Sequence, residues 1–269
     1  MEAGLLLTAD QIRRIASGEK LAAGVVEKDY ALTWLLRGIY LENSRLRDIL
    51  VLKGGTAIRK VYFPETWRFS EDLDFTLVGT ESVEKIGESI REIIRMLLVE
   101  SGINYSLESF HATEAVVIAN FQFLGPLNFP NRIRQDITLR ERMVLESQWK
   151  TVATTFPDLL GFSVLVYPLM EILVEKIRSI MQRGYSRDYY DVWRLLKEEE
   201  FMDSEVKGLL VRKCELNGIE YTPDLLFDEH RLNEAGSFWV KGLGHLTREL
   251  PTFETVISEL RDRLDFLQE

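Results

Sequence analysis

Apolar residues recur at helical spacing from the start of the chain. Thr8 or Asp10 can cap a helix to about residue 16, and residues 25–40 place apolar side chains three and four apart. Residues 49–52 form a short apolar run that meets Lys53-Gly54-Gly55, and 56–62 is then helical in period until Pro64 breaks it. That order predicts strand, tight turn and helix. Polar and apolar positions alternate over 72–78, as in a half-buried strand, and 81–98 reads as an amphipathic helix ended by Gly102. Strands follow near 104–110, 115–123 and 132–139, with Gly125-Pro126 and Pro130-Asn131 as breaks. A short apolar run at 164–167 precedes helices expected near 168–182, 187–197, 203–217, 233–248 and 251–267. The pattern predicts an α+β fold: N-terminal helices and a mixed sheet over residues 1–167, then a helical bundle over 168–269.

Composition narrows the class. Hydrophobic residues make up 46% of 269, enough to fill a sizeable core. No stretch approaches eighteen uncharged apolar residues and no leader pattern opens the chain, so neither a membrane span nor a signal peptide is expected. Cys214 is the only cysteine, which excludes an internal disulfide and a thiolate-rich metal site and fits a reducing, cytoplasmic setting. A net charge of -10, from 33 basic and 43 acidic residues, argues against broad adhesion to duplex DNA; a nucleic-acid partner needs a local patch. His111, His230 and His245 have neither metal-ligand spacing nor partners for a nucleophilic triad. Phe238 and Trp239 could stack on a base, although aromatic residues on an apolar helix face more often belong to the core.

Candidate chemistry concentrates at the predicted turn and the strand after it. Glycines at 54 and 55 let backbone N–H groups approach a triphosphate without a Cβ in the way, the helix that follows favours negative charge, and Thr56 adds a hydroxyl. Lys53 and Ser70 flank this region and join the candidate nucleotide-binding set. Asp72 and Asp74, two apart on a strand, point to one face with Cα atoms roughly 6.5 Å apart. Such a face can hold hard cations, and two Mg²⁺ ions roughly 4 Å apart would serve an in-line displacement at an NTP. Asp136 is the candidate third carboxylate, because Arg132, Arg134, Asp136 and Thr138 share the polar parity of their strand. Arg134 and Arg140 could meet phosphates there.

Leu52-Lys53-Gly54-Gly55-Thr56-Ala57-Ile58 followed by Arg68-Phe69-Ser70-Glu71-Asp72-Leu73-Asp74-Phe75 resembles the DNA polymerase β-like nucleotidyltransferases, and within them the AbiEii/AbiGii toxin branch of type IV toxin–antitoxin systems. A second block is similar to that branch: Glu171, Glu175-Lys176-Ile177-Arg178, Arg183, Arg187-Asp188 and Asp191-Val192-Trp193. The resemblance implies transfer of a nucleoside monophosphate from an NTP to an acceptor hydroxyl. It also implies an RNA acceptor such as a tRNA 3′ end and a cognate antitoxin. Lys176 and Arg183 would meet nucleotide phosphates, and either Asp188 or Asp191 would orient a basic residue or assist the acceptor. Two rivals stand beside it, transfer to a small molecule such as an antibiotic and a non-catalytic nucleotide- or partner-binding module. For the second block the plain alternative is a set of helix-surface pairs, Glu171 and Glu175 with Lys176 and Arg178.

Overall fold

Leu50–Lys53 is apolar except for its last residue and buried throughout, so this strand, β1, requires a partner on each edge. A computed structural model describing residues 6–268 supplies both: β2 (Asp72–Leu77) runs antiparallel on one side and β7 (Phe162–Val166) parallel on the other. With β3 (Asn104–Ala112), β4 (Val116–Leu124), β5 (Asn131–Thr138) and β6 (Gln148–Val152) they make a seven-stranded mixed sheet in the order β3-β4-β5-β2-β1-β7-β6. The meander β3-β4-β5 is antiparallel, and its last strand docks parallel to β2, which sets Asp136 beside Asp74. The fold is α+β, as the periodicity indicated. Strand β6 escaped that reading because four of its five residues are exposed at the sheet edge and only Val152 is buried.

The helices of this unit follow their caps. Helix α1 (Ala9–Glu19) opens with a capping box: Thr8 Oγ1 accepts from Gln11 N–H and Gln11 Oε1 accepts from Thr8 N–H at 2.8 Å. Helix α2 (Ala23–Ile39) is buried over most of its length, because it packs on α1, on the sheet and on α4. The four-residue α3 (Gly54–Ala57) runs into a π-helical turn, Ile58–Tyr62. Ser82 caps α4 (Val83–Ser101) by accepting from Lys85 N–H. The sheet face that carries Leu73, Phe75, Ile133 and Ile137 is the covered one; Tyr40, at the end of α2, brings its ring 6.5 Å from that of Phe75. Burial raises the Tyr40 phenol well above its ordinary value, and its hydroxyl lies 2.6 Å from Leu50 O and 2.9 Å from Leu165 O.

Gln135 shares that apolar parity. It is fully buried and neither end of its amide has a hydrogen-bond partner. An unsatisfied buried amide costs about 1–3 kcal/mol. Gln135→Leu is therefore expected to raise stability by about 1 kcal/mol or more; urea melts of the two proteins check it, and a destabilised variant would show that the amide has a partner.

Residues 142–146 and those from Pro168 onward form a second compact unit; residues up to Glu141 and Ser147–Tyr167 form the first. Its helices are α5 (Leu169–Gln182), α6 (Ser186–Glu198), α7 (Asp203–Leu216), α8 (Glu229–Leu243) and α9 (Phe253–Arg263), with a 3₁₀ turn at Pro223–Phe227. Lys213 Nζ and Glu171 Oε1 pair at 2.9 Å with both side chains fully buried. Glu171 also accepts from the N–H groups of Val144 and Leu145, and Lys213 donates to Arg142 O, which ties 142–146 to the helices. Glu171 is thus no helix-surface residue paired along its own helix; burial forces it onto a cation from α7. Cys214 is buried beside Lys213, and burial raises its thiol. Among the described residues no helix is long and apolar enough to cross a membrane.

Candidate active site

The chain leaves β1 extended at Lys53 and turns at Gly54, whose φ of +71° suits a residue without a Cβ. Space requires glycine as well. A Cβ on Gly54 would lie 2.6 Å from Asp74 Oδ2, and one on Gly55 2.9 Å from Arg68 Nη2 and 3.3 Å from Ser70 Oγ. The turn backbone therefore lies against an acidic side chain, with a guanidinium and a hydroxyl on its other side. Thr56 is buried and its hydroxyl donates to Asp72 O at 2.5 Å, so it anchors the turn to the start of β2.

The segment before β2 is held just as firmly. Arg68 Nη1 donates to Phe69 O, Arg59 Nη1 donates to Trp67 O at 2.6 Å, and the Arg59 guanidinium stands 3.5 Å over the Phe69 ring. Buried Asp29 balances the cations of the π-helical turn, with Lys60 Nζ at 2.7 Å and Arg59 Nε at 3.7 Å. Burial pushes the Lys60 ammonium down to about 8, against the pull of Asp29.

Register decides which side chains share the exposed face. Asp72 stands opposite Arg134 and Asp74 opposite Asp136 across the parallel β2–β5 pair, while Lys53 stands opposite Asp74 across β1–β2. Directly opposed residues point to one side of a sheet, so three carboxylates, Arg134 and Lys53 share it. Arg134 clasps Asp136 with both branches, Nε to Oδ1 at 2.7 Å and Nη2 to Oδ2 at 2.9 Å. The bond to Asp136 is the main reason its guanidinium is held further on the protonated side, and the charges of Asp72 and Asp74 add to this. Lys53 Nζ pairs with Glu141, which also accepts from Thr138 Oγ1 at 3.3 Å. Thr138 and Thr76 hydroxyls meet at 3.1 Å, and Thr76 meets the Tyr167 hydroxyl at 2.6 Å. Arg140, by contrast, pairs with exposed Glu114.

Glu141 and the clasp of Arg134 on Asp136 were not picked out from the sequence, and Arg68 stood in the motif without an assigned role. Arg68 had a signal, its place two residues before Ser70 in the spacer. Glu141 follows Thr138, the last residue of the polar parity of β5, but its pairing with a lysine 88 positions earlier leaves no local trace.

The donor set suits a hard divalent cation in part. Asp72 and Asp74 offer oxygen ligands on one face beside a turn that a Cβ would obstruct, and Mg²⁺ is commonly bound by one or two carboxylates together with substrate phosphates. The carboxylate of Asp136 is engaged by Arg134, and among the described residues no group of three or more His, Cys, Asp or Glu is arranged to hold a metal ion.

The second block forms its own cluster within the helical unit. Lys176 Nζ lies 3.0 Å from Asp188 Oδ1 and 2.9 Å from Asp191 Oδ2, carboxylates that are 2% and 0% exposed. Arg183, just past the end of α5, adds its Nε to Asp188 Oδ2 at 3.2 Å. The two aspartates that the spacing could not separate thus act together on one lysine. Their i, i+3 separation at the start of α6 turns both toward α5.

A family model described as nucleotidyl transferase AbiEii toxin, type IV TA system, matches residues 34–259. A similar solved structure is that of MenT4, a nucleotidyltransferase toxin from Mycobacterium tuberculosis H37Rv. It is 21% identical, with 98% of this chain and 90% of that chain covered and a TM-score of 0.73. At that identity the likeness shows the fold. A search of curated proteins returned no match.

Proposed function

This chain belongs to the AbiEii family of type IV nucleotidyltransferase toxins, and from that premise we propose that it moves a nucleoside monophosphate from an NTP to a hydroxyl of an RNA acceptor, with Mg²⁺ as cofactor. The observation that carries this reading is the approach of Gly54 to Asp74 on the face shared by Asp72, Asp136, Arg134 and Lys53. Asp72 and Asp74 would hold the cation, which when bound supplies charge neutralisation and orientation of the phosphates. The backbone of Gly54 and Gly55 receives the triphosphate, and Ser70 and Arg68 stand beside Gly55 as donors. The attacking oxygen forms a bond to the α-phosphorus as the bond to the β-phosphate oxygen breaks, pyrophosphate departs, and the hydroxyl proton passes to solvent or a carboxylate of this face.

Arg134 balances charge on the acidic face before substrate arrives. Its exchange from Asp136 to a phosphate oxygen frees Asp136 to join Asp72 and Asp74. Lys176 and Arg183, held by Asp188 and Asp191, enter this proposal through the family resemblance and not through their placement. The family also implies a cognate antitoxin, and a reaction that consumes NTPs and RNA belongs in the cytoplasm.

The test is to incubate the chain with each labelled NTP, Mg²⁺ and either total RNA or a small-molecule extract. Label in RNA, with binding that weakens steeply as salt rises, supports the reading. Label confined to small molecules would replace RNA by a small acceptor, and no label in either would leave a nucleotide-binding module.

A further inference from the structure

We infer that the helical unit carries a second binding site, a pocket that takes one unpaired base of a single-stranded RNA between Tyr185 and Phe238. This rests on the RNA-acceptor reading and adds to it the place where the strand is gripped. The pocket has a volume of about 460 Å³ and lies between the turn Gly184–Arg187 and the α8 residues Glu234, Ala235, Phe238 and Gly242. Pockets of about 300–1,000 Å³ are the size that small ligands use, so a base with its ribose fits.

Its two aromatic walls are kept in water. Tyr185 is 57% exposed and Phe238 51%, whereas Trp239, the next residue, is buried and donates its Nε1–H to Pro251 O at 2.8 Å. Helix α8 thus commits one aromatic residue to its core and leaves its neighbour at the mouth of a pocket. A lone exposed ring is ordinary, but two lining one cavity form a stacking platform. Cations attend both rings: the Arg183 guanidinium stands 4.8 Å from the centre of Tyr185 and Lys241 Nζ 5.8 Å from that of Phe238. Arg187 lines the pocket and donates from Nε to Gly242 O at 3.2 Å. In a chain of net charge -10 these three cations supply local positive charge of the kind a nucleic-acid partner requires.

The remaining polar groups suit a base edge more than a phosphate. Glu234 lines the same pocket and can accept hydrogen bonds from ring or amino N–H groups of a base, as carboxylates do with exocyclic amines. The anionic backbone then lies at the rim with the arginines. The turn is also anchored to the helix across the pocket. Gly184 has a φ of +61°, a Cβ there would lie 3.2 Å from Arg231 Cβ, and Ser186 Oγ donates to Ala235 O at 2.8 Å, so the turn that presents Tyr185 is tied to α8. A duplex keeps its bases stacked inside and cannot offer one to such a pocket, which selects single strands.

The test measures fluorescence anisotropy of a labelled single-stranded RNA dodecamer, a blunt RNA duplex of the same sequence and a labelled NTP. The proteins are the full chain and its variants Phe238→Ala, Phe238→Leu, Phe238→Tyr and Tyr185→Ala, whose folding is checked by thermal melts. Phe238→Ala, Phe238→Leu and Tyr185→Ala are each expected to raise Kd for the single strand about tenfold or more, the scale of one stacked base. Phe238→Tyr should retain wild-type affinity, and duplex and NTP binding should not change. Variants that bind the single strand like wild type overturn the pocket and leave the RNA-acceptor reading standing. Rescue by leucine equal to that by tyrosine overturns stacking, and a loss confined to the NTP shows a mononucleotide site instead. A wild-type chain that binds no RNA removes the acceptor reading and the pocket together.

Discussion

Asp74→Asn is expected to abolish nucleotide transfer while the protein stays folded. Asparagine keeps the shape that fits against Gly54, where the carboxylate oxygen is the atom nearest a would-be Cβ, but it lacks the charge a cation needs. Charge neutralisation at a transferring phosphate is worth several kcal/mol, and each 1.36 kcal/mol is tenfold, so a loss of at least about a thousandfold is expected. The fold should hold, because the change removes one negative charge from a face that also carries Asp72 and Asp136. Asp72→Asn should behave the same way. Label transfer and a thermal melt on one purified variant check both halves, and near-normal turnover by a folded variant would remove the pair from the chemistry.

The second large effect is on stability. Lys176→Met removes the ammonium that buried Asp188 and Asp191 share and leaves Asp188 with Arg183, and breaking a buried ion pair from one side costs about 3–5 kcal/mol. A pairing at a helix surface would have cost a few tenths, so a marked loss of stability is expected where the sequence suggested almost none. Adding Asp191→Asn to Lys176→Met should restore part of the loss, since the carboxylate charge that faced the ammonium goes with it. Urea unfolding of the three proteins measures this. Transfer assayed well below the melting temperature then reads the separate, family-based role of Lys176. Unchanged kinetics in the folded variant would take Lys176 out of the reaction and leave it a structural cation.

Much of this could be read from local spacing. That Asp72 and Asp74 share a face follows from the period of two along a strand, and that Leu73 and Phe75 enter the core follows with it. The Gly54-Gly55 break between an apolar run and a helical one located the turn, and of the two caps offered for the first helix, Thr8 and Asp10, the structure uses Thr8. Most of what stayed hidden depends on residues far apart in sequence. The grip of Arg134 on Asp136 is local, yet nothing in strand parity says that an arginine will turn toward its own strand instead of a ligand. Lys53 with Glu141, Lys213 with Glu171 and Lys176 with two aspartates are pairings set by packing between elements, and helical spacing suggested nearer partners for two of them. Phe238 and Trp239 are adjacent with opposite fates: Trp239 lies in the buried stripe with Ala235 and Leu243, and Phe238, one residue earlier, lies off it.

The central claim is that Asp72 and Asp74 serve transfer of a nucleoside monophosphate to RNA, and the mass of a defined RNA after reaction tests it most directly. A synthetic single strand incubated with the wild-type chain, Mg²⁺ and each NTP should gain the mass of one or more nucleoside monophosphates, with one pyrophosphate released per addition. With Asp74→Asn under the same conditions the mass should not change. An RNA that gains only a phosphate, or a wild-type reaction that leaves every RNA at its starting mass while consuming NTP, would contradict the account.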